Sequence, residues 1–324
     1  MNRAATYSLR AAKDFYGISH KIATRHKVIE QPFDYIEQEA SDLIKQKVSD
    51  DKPCMICRFG KVELNALVRY INISRASNFP CEKSVSYILG NAGAFWWSDG
   101  IKRTMQNNAG FFPITEPSLE AFGRRMTEDI KDIDILGFSL DQETEILEQL
   151  KNVSVIRLKD LDPYRHHHPW SEALENKIVL VVHPFSQSIQ QQYEKRDLLF
   201  QDKRILPKFE LKTLQSVQSI CGNNAGFDSW FDALDWMCEK ISSIEFDVAI
   251  IGAGAYGLPL ASYVKNIGKK SIHIGGATQI LFGIRGSRWD NKPFFRKLYN
   301  SHWTRPLPSE VPSKYKTIEG GAYW

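Results

Sequence analysis

Three glycines, Gly252, Gly254 and Gly257, stand in the spacing G-x-G-x-x-G directly after the apolar run Val248–Ile251. A helix pattern follows (Leu258, Leu260, Ala261, Val264), then a second strand, Ser271–Ile274. A strand, a glycine turn and a helix leave backbone N–H groups and a helix N-terminus free to hold a phosphate. Around this turn the sequence offers charged and imidazole groups near other strand ends: Arg58, Lys61 and Glu63; His183; His273; Gln279, Arg285, Arg288 and Asp290. Arginine gives bidentate contacts to phosphate oxygens and lysine a compact charge. A carboxylate beside them serves as a base for a hydroxyl or as a metal ligand. Each group also has a bland role. Arg58 and Glu63 could pair, Asp290 could cap a helix, and His183 could be a satisfied core histidine.

A dinucleotide-binding site is the first chemistry to weigh. Such a site wants an Asp or Glu at the end of the next strand to hold the ribose. This chain has His273, Ile274, Gly275 and Gly276 there, and no following βαβ half. Other chemistries lack their motifs. The sequence contains no G-x-S-x-G elbow and no G-x-x-x-x-G-K-[ST] loop. Cys54 and Cys57 form a C-x-x-C without a second pair at zinc-site spacing. They read as buried strand thiols. His166–His168 lie in a proline-rich loop without a helical partner at fixed spacing.

The positioning elements follow from periodicity. Strands are expected at Met55–Phe59, Ile133–Ser139, Val153–Leu158, Lys177–His183, Ile205–Leu211, Val248–Ile251 and Ser271–Ile274. Helices are expected at Phe33–Val48, Val62–Ile71, Pro117–Asp129, Glu143–Leu150, Phe185–Phe200 and Trp230–Ile241. The alternation predicts an α/β fold: a Rossmann-like, mostly parallel sheet flanked by helices. The expected organisation is a helical N-terminal extension over 1–50 and one domain over 51–324. Ligands of such sheets gather beyond the carboxyl ends of the strands.

Bulk properties agree with a packed protein. Of 324 residues, 43% are hydrophobic and 12% aromatic. A net charge of +4 is too small to argue for nucleic acid. No apolar run reaches the ~20 residues of a membrane span. The start of the chain lacks a continuous apolar signal segment, and five cysteines, an odd number, point to a reducing cytoplasm. Residues 1–28 carry six Lys or Arg against one acid, Asp14, interspersed with Tyr7, Leu9, Phe15 and Ile18. That segment is either a solvated helical extension or a basic amphipathic helix making peripheral contact with an anionic membrane.

The string Cys57–Leu64 (CRFG-x-x-EL), followed far downstream by the IIGAGAYG turn and HIGG, resembles glycosyltransferases of the GT-D fold. Further segments share the likeness: PWSEAL, VLVVHPF, GGATQILFGIRGSRWD and EGGAYW. The resemblance spans about Cys54 to Asp290. It implies a bacterial enzyme that moves a sugar from a nucleotide-diphosphate sugar to a surface polysaccharide or glycoprotein glycan, with a glycan or lipid-linked acceptor. In the family's R-F-G-D-G-E pattern an Asp-x-Glu pair is implied to hold a divalent metal, Mn or Mg, against the diphosphate. Here Lys61 replaces that Asp and Val62 the Gly, so Glu63 alone remains. A cation facing a cation at ~4 Å repels by ~1–4 kcal/mol, which works against a metal.

The site implied combines Arg58, Gly60, Lys61, His183, Gly252, Gly254, Tyr256, Gly257, His273, Gly275, Gly276, Gln279 and Arg285 as donor-binding residues. Asp290 is the expected base, with Glu63 as second carboxylate and metal ligand. Two other functions stay open: a nucleotide-dependent oxidoreductase, and a catalytically inactive nucleotide-sugar-binding protein of the same fold.

Overall fold

The computed structural model describes residues 3–20, 33–76, 78–220, 225–317 and 320–324. Seven strands form one sheet: β1 Cys54–Cys57, β2 Ile135–Phe138, β3 Ser154–Arg157, β4 Ile178–His183, β5 Glu210–Gln215, β6 Val248–Ile251 and β7 Lys270–His273. Their order is β3-β2-β1-β7-β6-β4-β5, and every pairing is parallel. The chain steps outward from β1 to β3, crosses to β4 and β5, then fills the centre with β6 and β7. From the adjacent strands β4 and β6 it leaves in opposite directions, toward β5 and toward β7. Connections that diverge in this way open a crevice at the carboxyl ends of the strands.

The central strands are short and uniformly apolar because helices cover both faces. On one face Met55, Cys57, Leu180, Val182, Ala249 and Ile251 pack against helices Lys61–Arg75, Glu116–Asp129, Trp230–Ser242 and Gly257–Asn266. On the other, Cys54, Ile56, Val179, Val181, Ile250 and Ile272 meet helix Glu37–Ser49 and a set of aromatic residues including Trp170, Phe185 and Phe282. Cys54 and Cys57 therefore point to opposite faces, and burial pushes both thiols up, Cys54 to about 11. Thiols on opposite faces of a strand cannot share a metal or form a disulfide.

Several boundaries differ from the periodicity reading. Ala40, Ile44 and Val48 are fully buried with the sheet residues Ile56 and Ile135. Residues 37–49 thus share the core of the sheet instead of standing apart as an extension. The strand expected at Ile205–Leu211 forms at Glu210–Gln215, on the sheet edge. Ile205, Leu206 and Phe209 are buried without being strand, with Phe209 stacked on Tyr193 at 4.5 Å. The helix expected at Phe185–Phe200 breaks into Ser186–Tyr193 and Arg196–Leu199, and that at Glu143–Leu150 shrinks to Thr144–Leu147.

Helix Arg3–His20 lies along helix Pro80–Ile88, with Lys13 Nζ 4.3 Å from the Tyr87 ring centre and Arg10 6.0 Å from that of Trp96. The rest of the basic segment, 21–28, lies outside the described residues.

Candidate functional site

A cavity of about 320 Å³ opens over the carboxyl ends of the central strands. Arg58–Glu63 after β1, His183–Phe185 at β4, Ser216–Ile220 after β5, Gly252–Tyr256 after β6 and His273, Gly275, Gly276 and Gln279 after β7 line it. This is the size range of small-ligand pockets.

Two helices begin at the cavity. Lys61–Arg75 starts behind Gly60, and Gly257–Asn266 behind Tyr256; neither start has a side-chain cap. The first N–H groups of helix Lys61–Arg75 carry partial positive charge, whereas the Gly257 N–H is already spent on the Gly254 carbonyl. Lys61 is the first residue of its helix and exposed. Arg58 is half-buried, with no ion pair to a carboxylate among the described residues. Glu63 sits on the first turn and folds back over Gly60, so a Cβ at Gly60 would collide with its carboxylate. The G-x-x-E spacing is thus a local fold-back at the start of a helix.

The glycines of the fingerprint are explained by imidazoles. A Cβ on Gly252 would lie 2.5 Å from His183 Cδ2 and 2.7 Å from the Gly275 carbonyl. One on Gly257 would run into the His273 ring. Gly254 has φ +55° and open space around its Cα, so its conformation, not crowding, calls for glycine. Gly257 itself does not line the cavity; it seats His273.

His183 and His273 are each 3% exposed. The Nδ1 of His183 accepts the Phe185 N–H at 3.0 Å, so its proton sits on Nε2. The Nδ1 of His273 donates to the Ile251 carbonyl at 3.0 Å, which leaves Nε2 with a lone pair. Burial lowers His183 to about 3. Burial and then the Arg58 charge lower His273 to about 4. Both rings are therefore neutral at pH 7.

Tyr256 is a wall of the cavity. Its ring stacks on Trp230 at 4.8 Å, and its hydroxyl bonds Ser219 Oγ at 2.8 Å, which donates to Gly110 O. Gln279 is buried and donates to the Ile284 and Tyr323 carbonyls; its Oε1 has no hydrogen bond among the described residues.

Arg285 and Asp290 do not reach the cavity lining. Asp290 ion-pairs with Arg305, and its other oxygen lies 3.6 Å from Arg285. Nor does it cap the next helix, whose first flanking residue is Lys292. The base expected at Asp290 thus sits in an ion cluster with Arg305 and Arg285, while Arg288 of the same short helix Ser287–Asp290 lines the cavity. Among the described lining residues Glu63 is the one carboxylate. No group of three or more His, Cys, Asp or Glu that could hold a metal forms among the described residues. His166–His168 serve packing: His166 Nε2 donates to Asp160 O, and His168 O accepts from Ser41 and Gln38.

Other lining residues escaped the sequence reading. Ser216–Ile220 follow β5, and placing that strand at its true end would have pointed to them. Asn108, Tyr323 and Trp324 reach the cavity only through tertiary packing, Tyr323 by lying against Gly276 and under Arg288. Buried Glu143, beyond the end of β2, accepts the Ser139 N–H at 3.0 Å while its Oε1 has no partner among the described residues.

Comparison of the chain with protein-family models, with curated proteins and with solved structures finds no match. No described helix is long and apolar enough to cross a membrane.

Proposed function

We propose that this chain is a cytoplasmic glycosyltransferase that takes a nucleotide-diphosphate sugar and passes the sugar to a glycan or lipid-linked acceptor. The observation that carries the reading is the convergence of Arg58, Lys61, the start of helix Lys61–Arg75 and the glycine turn Gly252–Gly254 on one cavity at the switch point of a parallel sheet. Positive charge from side chains and from backbone N–H groups suits a diphosphate. The choice of sugar transfer over other diphosphate chemistry rests on the resemblance of the Cys57–Leu64 and Gly252–Gly257 segments.

In this reading the diphosphate lies against Arg58, Lys61 and the turn Gly252–Gly254. As the bond from the sugar to the diphosphate breaks, its electrons pass to the leaving oxygen. Arg58 and Lys61 meet the charge that develops there. Glu63 takes the proton of the attacking acceptor hydroxyl, in place of Asp290. No step runs through a metal.

The test is a calorimetric and thermal-shift screen against UDP-, GDP-, dTDP- and CMP-sugars, NAD(H) and NADP(H), each with EDTA or Mn²⁺. Saturable binding of one nucleotide sugar in EDTA, followed by transfer or donor hydrolysis, is the expected result. Binding without either reaction would identify an inactive sugar-nucleotide binder. Binding of a nicotinamide cofactor alone would overturn the proposal in favour of an oxidoreductase.

A further inference from the structure

The cation and the imidazole at the floor of the cavity make opposite demands. A Cβ built on Gly275 would stand 3.5 Å from Arg58 Cδ and 4.0 Å from His273 Cε1, so the two side chains flank the same short stretch of backbone. Arg58 has only N–H groups to offer and attracts anions. His273 spends its one proton on the Ile251 carbonyl, leaving a bare Nε2 that only accepts. A phosphate oxygen facing that lone pair is repelled; an O–H or N–H is bound. His183, on the opposite face of the sheet crest and across Gly252, is the reverse case: its Nε2–H only donates. It suits a phosphate oxygen or a hydroxyl equally. No partner for either Nε2 occurs among the described residues, and both rings line the cavity.

We propose that His273 is a hydroxyl-reading residue beside the anion site, so that the cavity selects phosphate esters carrying a hydroxyl next to the phosphate and discriminates against phosphates without one. The selected class is a sugar phosphate or nucleotide, not inorganic diphosphate. This inference rests on the anion site of the proposed function but not on sugar transfer. His273 is held for the task. Gly257 has no side chain where the ring lies, and the Ile251 carbonyl fixes which nitrogen is bare. The charged group facing the ring is Arg58, which disfavours a second proton.

The probes are pyrophosphate, glucose 1-phosphate, UMP and UDP-glucose, titrated by calorimetry into the unmodified protein and into Arg58→Met and His273→Phe. Wild type is expected to bind at least one hydroxyl-bearing ester at least ~10-fold tighter than pyrophosphate, the worth of one buried hydrogen bond. Arg58→Met should weaken all ligands together. His273→Phe should remove most of the preference and leave pyrophosphate affinity unchanged or raised. Nitrogen-15 NMR of the unmodified protein covers the case in which the variant misfolds. His273 Nε2 should be unprotonated at pH 7, and its resonance should move on saturation with the ester that binds. A protonated Nε2, an unmoved resonance, or pyrophosphate bound as tightly as every ester would overturn the inference. So would failure of all four to bind. Binding of glucose 1-phosphate or UMP without any nucleotide sugar would sink the transferase reading and leave this one standing.

Discussion

Glu143 shows how a single buried group makes stability depend on pH. Its carboxyl is pushed up to about 7 by burial, against the opposing pull of the Ser139 and Leu140 N–H groups and of Arg58. An unfolded Glu titrates near ~4.3. The folded state therefore holds this proton more tightly, and the resulting stability is complete below ~4.3 and lost as pH rises through about 7. Glu143→Gln keeps an oxygen for the Ser139 N–H and removes the charge. Relative to wild type it should gain about 1–3 kcal/mol between pH 5 and pH 8, measured by urea unfolding at each pH. A difference that does not change with pH would refute the assignment. His183 and His273 act in the opposite sense. Their folded values, about 3 and about 4, lie below the unfolded ~6.5. Their contribution is complete above ~6.5 and is lost as pH falls through about 4 for His273 and about 3 for His183, so His183→Gln should flatten the acid limb of the stability curve. Those imidazoles were legible in the sequence as strand-end residues. Their tautomers were not, because each depends on a backbone group whose position the fold sets.

At the level of elements, helix Ser186–Tyr193 illustrates a cap supplied from far along the chain. Glu310 accepts the Gln187 N–H at 2.8 Å and the Ser188 N–H at 3.3 Å, and it also binds the Ser188 hydroxyl. A carboxylate at a helix start satisfies orphan donors and complements the dipole. Glu310→Ala should cost about 1–2 kcal/mol, read as a lower urea midpoint with an unchanged slope. The same substitution leaves the cavity cations in place, so ligand affinity should hold. On helix Arg3–His20, Tyr7 and Phe15 are 70% and 78% exposed. These exposed rings and the six basic residues of segment 1–28 motivate a test of contact with an anionic bilayer. Deleting residues 1–28 should weaken sedimentation with phosphatidylserine vesicles and leave binding to neutral vesicles unaltered; equal binding of both chains to anionic vesicles would exclude the contact. The helix was readable from its composition. Its seat on helix Pro80–Ile88 was not, since cation–π contacts join residues more than seventy positions apart.

For the whole molecule, ligand binding at the centre of one sheet should be felt globally. The lining residues come from five strand ends and both faces of the core. A ligand held at ~100 times its Kd adds about 2.7 kcal/mol to the folded state. The nucleotide sugar that binds should therefore raise the temperature of a single cooperative transition. Two separated transitions, with only one responding to ligand, would show that the two core faces do not unfold together.

What the sequence determined by itself was the alternation of strands and helices, the glycine turn after β6, and the cluster of polar residues at strand ends. Apolar runs of four to six residues and short connections suffice for that, because they are local. Tertiary structure alone decided the strand order, and with it which strand ends meet. It moved Arg285 and Asp290 into an ion cluster with Arg305. It brought Ser216–Ile220, Tyr323 and Trp324 to the cavity wall. It also gave the glycines their reason: Gly252 and Gly257 make room for imidazoles from β4 and β7, the two strands flanking β6, a placement that no spacing along the chain reveals.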